Sequence, residues 1–295
     1  MLLYTQTPIQ EIHDATLAEA GVRLLVKRED LNHPHISGNK WWKLKYNLEE
    51  ALNQQKKKLL TFGGAYSNHI YSTASAAQEL RLESVGVIRG EEALPLNATL
   101  TFAKLCGMTF HHISREKYRN KNEASFIENL HDRFGDFYLI PEGGSNNLAV
   151  KGCIEFAQTL NQIDFDYFCL PVGTGGTIAG MVAGLKDEKE IIGFPVLKGG
   201  EFLQTDIEKF LKNFSTKAFQ NWRLDASYHH GGYAKTTPEL LSFMREIKTK
   251  HNLPLDPVYT AKLLWGIMDY VKKGKFKRGS TVLMLHTGGL QKAEQ

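Results

Sequence analysis

The run Val172-Gly173-Thr174-Gly175-Gly176-Thr177-Ile178-Ala179-Gly180 is the strongest chemical signal in the chain. An apolar segment ends in glycines that allow close backbone approach, and Thr177 then opens a helix. Exposed amides at a helix N-terminus make an anion site well suited to a phosphate. The run is not a Walker loop, because Gly176-Thr177-Ile178 stands where Gly-Lys-Ser/Thr is required. It is not the dinucleotide fingerprint either, since position 178 is Ile rather than Gly. The plainer alternative is a tight strand-to-helix turn that binds nothing.

A second signal is Ser37-Gly38-Asn39-Lys40-Trp41-Trp42-Lys43-Leu44. Ser37 reads as an N-cap and Gly38 as a sharp entry to a helix. Lys40 then falls in the first turn, where the helix dipole and apolar Trp neighbours both lower an amine pKa. A depressed amine is what imine formation with a carbonyl cofactor requires. A solvated helix lysine is the simpler reading, and Lys43 and Lys45 share the helix, so composition does not single out Lys40.

The third is Gly63-Gly64-Ala65-Tyr66-Ser67-Asn68-His69, in which Ser67 or Asn68 can cap the following helix. Ala65 and His69 occupy the positions a Gly-x-Ser-x-Gly nucleophile elbow gives to glycine, so that chemistry is excluded. The histidines form no HExxH pattern and no Cys/His cluster, so no metal site is expected. Glu29 and Asp30 are adjacent and read as surface or loop ion pairs rather than a glycosidase-like dyad.

These signals need elements to position them. Short apolar, β-branched runs predict strands over 22–27, 59–62, 84–88, 109–112, 137–140, 167–171, 191–194 and 281–285. Helical patterns fall over 40–55, 67–79, 98–106, 121–134, 149–161, 177–185, 202–213, 238–251 and 261–273. Strands alternating with helices of this length make an α/β protein with covered parallel sheets. Three strands run into Gly-rich turns at 63–64, 173–176 and 288–289. Ligands gather at the carboxyl ends of strands in open sheets, so one site built from distant segments is expected.

Composition narrows the function class. The chain has 295 residues, which suggests two domains, and 42% hydrophobic content is enough for a sizeable core. A net charge of +4 is too small to argue for nucleic acid, and Lys56-Lys57-Lys58 reads as a solvated helix end. Cys106, Cys153 and Cys169 lie far apart, as buried small hydrophobes of a reducing compartment do. The N-terminus shows no signal-peptide pattern, and no apolar run reaches ~18 residues, so a cytoplasmic protein without a membrane span is expected.

In combination these segments are specific. Val26-Lys27-Arg28-Glu29-Asp30-Leu31, Gly38-Asn39-Lys40, Gly63 through His69, Arg89-Gly90-Glu91-Glu92, Pro141-Glu142-Gly143-Gly144-Ser145-Asn146, Gly173 through Thr177, Asp256 through Lys262 and His286-Thr287-Gly288-Gly289 occur in this order. The sequence thereby resembles the 1-aminocyclopropane-1-carboxylate deaminase/D-cysteine desulfhydrase family over nearly its whole length. The resemblance implies a pyridoxal-phosphate enzyme of tryptophan-synthase-β-like fold (fold type II), with two open parallel-sheet domains and the cofactor between them. Residues 1–43 and 146–295 would form the large cofactor-binding domain, and 44–145 a smaller inserted α/β domain.

The resemblance further implies that Lys40 carries the cofactor covalently, that Asn68 contacts its 3-oxygen and that Gly173, Thr174, Gly175, Gly176 and Thr177 cradle its phosphate. Ser67 would meet the substrate carboxylate, with Tyr233 and Tyr259 flanking the substrate and Thr287 near the pyridine nitrogen. Ring-opening members of the family carry Glu after the Asp-Pro-Val-Tyr tyrosine and Leu after the histidine of the last Gly-Gly turn. This chain has Thr260 and Thr287 there, which resembles the desulfhydrase branch. The expected activity is therefore a lyase acting on a small amino acid, most like D-cysteine, and the expected assembly is a homodimer. The alternatives are deamination of 1-aminocyclopropane-1-carboxylate to 2-oxobutanoate, or cofactor binding without turnover. Asn32-His33-Pro34-His35-Ile36, Trp41-Trp42 and the region 194–228 depart from the family pattern.

Overall fold

The computed structural model describes residues 2–185, 189–216 and 218–292. In its first half the elements are β1 (Ile9–Ile12), α1 (Ala15–Ala20), β2 (Arg23–Lys27), α2 (Asn39–Asn53), β3 (Lys58–Gly64), α3 (Asn68–Glu79), β4 (Glu83–Arg89), α4 (Ala98–Leu105), β5 (Met108–Ile113), α5 (Arg115–Arg119), α6 (Ala124–Phe134) and β6 (Tyr138–Ile140). The second half adds α7 (Asn147–Leu160), β7 (Tyr167–Val172), α8 (Gly176–Gly184), β8 (Glu190–Pro195), α9 (Leu203–Lys212), β9 (Trp222–Leu224), α10 (Pro238–His251), α11 (Thr260–Lys272) and β10 (Thr281–Leu285).

Two sheets result. One has the order β1-β2-β10-β7-β8-β9 and the other β5-β4-β3-β6. Every pairing is parallel except β1 with β2. The central strands β7 and β10 are buried at every position, as strands covered by helices on both faces must be. Two apolar clusters flank the larger sheet, and two smaller ones flank the four-stranded sheet. Among the described residues, no helix is long and apolar enough to cross a membrane.

All eight strands expected from sequence are present, with end shifts of one or two residues. β1 and β9 were not expected. They are the two edges of the larger sheet and only four and three residues long, so each owes its strand geometry to its neighbour rather than to its own pattern. The helix expected over 121–134 begins at Ala124, with α5 a separate short helix before it.

Helix α2 runs between the sheets, and its Trp42 ring stacks on Phe156 of α7 at 5.1 Å between centroids. Helices α7 and α8 pack closely because Gly180 lacks a side chain: a Cβ there would lie 2.2 Å from the Cβ of Cys153. That contact holds the middle of α8 against the helix that follows the Pro141-Glu142-Gly143-Gly144 turn.

Candidate active site

Helix α2 begins at Gly38, which adopts φ +70° and caps the helix without any side-chain hydrogen bond. Ser37, expected as the cap, does not serve. The Gly38 N–H instead donates to the Glu29 carbonyl (2.8 Å) and Asn32 Oδ1 (3.0 Å), and this fixes the chain one residue later than expected. A Cβ at Gly38 would stand 1.9 Å from the Thr287 carbonyl oxygen, so the start of α2 is pressed against the turn after β10. Glu29 anchors the same region from inside. Its carboxylate accepts from Thr7 Oγ1 (2.5 Å), Trp42 Nε1 (2.7 Å), Asn32 Nδ2 (3.0 Å) and the Tyr4 hydroxyl (3.1 Å). The expectation of surface carboxylates at 29 and 30 is therefore corrected: both are buried. Asp30 is held by a two-pronged bond from Arg28, at 2.9 and 2.7 Å.

Lys40 lies in the first turn of α2, buried, with Nζ donating to Asn39 Oδ1 at 3.0 Å. The Asn39 amide in turn donates to Thr177 Oγ1 at 2.8 Å, which ties the start of α2 to the start of α8. One helical turn on, Lys43 is 2% exposed and donates to Ser145 Oγ at 2.7 Å and Thr174 Oγ1 at 3.4 Å. Burial lowers its pKa to about 8. Helix α8 has Gly175 as its N-cap and no capping side chain, so its first amides are left for a ligand in the turn.

Ser67 caps α3, its Oγ accepting from the amides of His69 (3.2 Å) and Ile70 (3.3 Å). Asn68 is buried, and its Oδ1 accepts from Gln291 Nε2 at 2.9 Å. His69 is 1% exposed, with Nε2 2.7 Å from Thr61 Oγ1. Because Thr61 gives its own proton to the Ile140 carbonyl (2.8 Å), Nε2 must be the protonated nitrogen. Burial, followed by the charges of Lys40 and Lys43, drives the His69 pKa well below the usual histidine value, so the ring stays neutral.

Tyr233 and Tyr259 face each other edge-on, 6.2 Å between ring centroids, and burial pushes both hydroxyl pKa values up. Both remain protonated at neutral pH. Thr260 is turned away from them: it is fully buried, and its Oγ1 donates to Asp256 Oδ2 (2.9 Å) while accepting from the Asp256 amide (2.8 Å). Thr287 differs. Its hydroxyl is buried and has no hydrogen-bond partner among the described residues, although it lines the site.

One cavity brings together Lys40, Ser67, Asn68, Gly173, Thr174, Gly175, Thr177, Tyr259 and Thr287, from segments up to 247 residues apart. Gly176 sits just behind it, against Ser145 and Lys43. Tyr233 lines an adjoining chamber of about 410 Å³ that shares Ser67, Gly173, Thr174 and Tyr259 with the first. The sequence reading assigned no role to Asn39, Lys43 or Ser145. The spacing of Lys40 and Lys43, three apart on one helix face, was the signal available for Lys43.

Residues 1–288 match the family described as pyridoxal-phosphate dependent enzyme. The chain belongs to that family. A provisionally named 1-aminocyclopropane-1-carboxylate deaminase of Pyrococcus furiosus is 33% identical, covering 98% of this chain and 91% of the relative. The mitochondrial bifunctional D-cysteine desulfhydrase/1-aminocyclopropane-1-carboxylate deaminase of Arabidopsis thaliana is 31% identical, covering 98% and 77%. A solved homologue of the deaminase superposes with a TM-score of 0.86 at 29% identity, over 99% of this chain and 92% of that one. The cystathionine β-synthase of Helicobacter pylori, at 16% identity and TM-score 0.71, shares the fold.

This protein is thus a pyridoxal-phosphate-dependent lyase of the 1-aminocyclopropane-1-carboxylate deaminase/D-cysteine desulfhydrase family, with the fold type II architecture expected from its motifs. The cavity suits the cofactor: a buried lysine, an uncapped helix N-terminus beside a second buried lysine, and a buried hydroxyl lacking a partner converge on it.

Proposed function

We propose that this lyase eliminates hydrosulfide from D-cysteine, giving sulfide, pyruvate and ammonia. The observation that carries the reading is the position of the two threonines. Ring-opening relatives, by resemblance, place a Glu where Thr260 lies here, and Thr260 spends its hydroxyl on Asp256 inside the protein. The cavity therefore receives no carboxylate from that position.

Lys40 would hold the cofactor covalently, and Asn68 Nδ2 its 3-oxygen. The Gly173 to Thr177 amides with Lys43 would hold the phosphate, and the Thr287 hydroxyl the ring nitrogen. When bound, pyridoxal phosphate supplies a carbonyl carbon that condenses with the substrate amine and a conjugated ring that takes up the electron pair left at Cα. A neutral hydroxyl at Thr287 leaves the ring nitrogen largely unprotonated, which moderates that sink but suffices when the β leaving group is good.

The chain's own groups do the rest. The amide edge of α3 at Ser67 receives the α-carboxylate, the amine of Lys40, freed once the substrate amine has taken its place, removes the Cα proton, and the protonated Tyr259 or Tyr233 faces the departing sulfur. The Cβ–S bond breaks with its electron pair on sulfur. The three-carbon enamine, once released, hydrolyses to pyruvate and ammonia.

The test is holoenzyme with D-cysteine, with sulfide and pyruvate measured against Lys40→Ala. Product from the wild type alone supports the proposal. 2-Oxobutanoate from 1-aminocyclopropane-1-carboxylate, with no sulfide from D-cysteine, would replace it with the deaminase reading that the relatives' names favour. A cofactor-loaded protein that turns over neither would be a binding protein.

A further inference from the structure

The chamber beside the cofactor cavity is larger than a three-carbon amino acid needs. Its 410 Å³ open directly onto the cavity through Ser67, Gly173 and Tyr259. Its lining includes apolar Leu197, Phe202 and Leu203 and the charged Arg89, Lys121, Glu142 and Asp206. The charges on its walls are mostly satisfied locally. Lys121 pairs with Glu142 at 3.3 Å, and Asp206 of α9 pairs with Lys209 of the same helix at 3.2 Å.

Arg89 is the exception. It is exposed to solvent and enters no ion pair and no side-chain hydrogen bond with any described residue, and it ends β4 directly beside Gly64, at the strand edge that leads to Ser67. It is nonetheless held in place. Its guanidinium lies 5.6 Å from the ring centroid of Tyr118, a buried side chain, and Lys121 Nζ lies 5.0 Å from the same ring. The guanidinium also passes over the Gly64 backbone, where a Cβ would come 3.5 Å from Nη2.

We infer that this chamber is a subsite for the substrate's β-substituent and that Arg89 receives an anionic group on it, a carboxylate above all. The inference rests on the proposed elimination at Cβ and extends its substrate class from D-cysteine to β-thio-substituted amino acids with an acidic tail. For a carboxymethyl thioether the atoms balance without any co-reactant. The Cα proton goes to Lys40, the Cβ–S bond breaks with its pair on sulfur, and sulfur takes a proton to leave as mercaptoacetate. The released enamine and one water give pyruvate and ammonia. A planar guanidinium matches a carboxylate with two parallel bonds, a geometry that an amide of the same shape cannot reproduce.

The test compares S-carboxymethyl-D-cysteine with S-carbamoylmethyl-D-cysteine on the holoenzyme, an acid and an amide of equal size. Binding is read from the change in the cofactor's absorption spectrum and turnover from pyruvate. The expected result is a preference for the acid of about tenfold or more in Kd, the range of a charged hydrogen bond. Arg89→Gln should bring the acid-to-amide ratio close to one, with Arg89→Lys in between. A ratio near one in the wild type would overturn the inference without need of a variant, as would a ratio that Arg89→Gln leaves unchanged. If D-cysteine yields sulfide and neither thioether binds, the subsite fails and the proposed function stands. If the acid binds preferentially yet no substrate yields pyruvate, the subsite stands and the elimination fails.

Discussion

Lys43 reaches out of α2 to within 2.7 Å of Ser145 Oγ, and Ser145 Oγ lies 2.5 Å from Thr174 Oγ1, so a cation on one helix closes the turn that leads into another. Among the described residues, nothing anionic is bonded to that ammonium, and burial lowers its pKa to about 8. A phosphate ester in the turn would supply the missing charge.

This has a consequence in pH. Unfolded, the amine titrates at 10.5, so folding of the cofactor-free protein releases a proton between pH 8 and 10.5, and this group's contribution to stability improves as pH rises through that window. Phosphate binding needs the ammonium and runs the other way. Affinity for pyridoxine 5′-phosphate, which has the phosphate but no carbonyl, should be flat below pH 8 and fall up to about tenfold per unit above it. Lys43→Met should lower affinity at neutral pH by about 10- to 100-fold and remove that pH dependence. Titration calorimetry across pH 7–10 measures both.

Thr287→Val separates a structural hydroxyl from a functional one. The orphaned buried Oγ1 costs the cofactor-free protein roughly 1–3 kcal/mol, so the isosteric valine should leave that form as stable or more stable. Turnover of the loaded enzyme should drop by about tenfold or more. Thermal melts of the cofactor-free form and kcat of the holoenzyme check the two halves. Lower stability in the melt would mean that the hydroxyl already has a partner.

Thr260→Glu should not convert the enzyme to ring opening. Position 260 is fully buried against the Asp256 carboxylate, so a second carboxylate there is unpaired and should destabilise the fold by about 3–5 kcal/mol. Denaturant melts supply the magnitude. Asp256→Ala should act through the same corner, because its side chain holds the amides of Val258, Tyr259 and Thr260. A loss of about 1–2 kcal/mol, together with a raised KM, is expected as Tyr259 loses its support.

Gly38→Ala tests the contact between the start of α2 and the last Gly-Gly turn. The backbone there has φ +70°, and the new Cβ would overlap the Thr287 carbonyl, so neither strain nor clash can relax without moving Lys40 or Thr287. We expect a loss of about 3 kcal/mol or more and poor cofactor uptake, read from the melting temperature and the visible absorption of the lysine-bound form.

How much of this was legible in one dimension follows from where the signals come from. Local chemistry is written in adjacent residues. The glycine turn at 173–176, the Ser67 cap and the apolar runs of β7 and β10 all depend on neighbours in the chain, and each lies where its pattern put it. The order of motifs was enough to indicate the family and its cofactor. Strand order was not, since β10 inserts between β2 and β7 only because its apolar faces find cover there.

The site residues divide in the same way. Lys40 and Asn68 could be named from motifs, whereas Lys43 looked like any other lysine of an amphipathic helix until the fold buried it against Ser145. Glu29 looked like a surface carboxylate until Thr7, Asn32 and Trp42 converged on it. Thr260 and Thr287 were equivalent as letters. One is satisfied by Asp256 and the other faces the cavity without a partner, a difference set by which way each backbone segment turns after its strand or loop. The sequence by itself determined the element types, which rest on local spacing, and the order of its motifs carried the resemblance that implied the family and the cofactor. Burial, charge compensation and the pairing of hydroxyls were decided only by tertiary packing, because they depend on groups that no local pattern pairs, from the nearby Asp256 and Thr260 to Lys43 and Ser145, 102 residues apart.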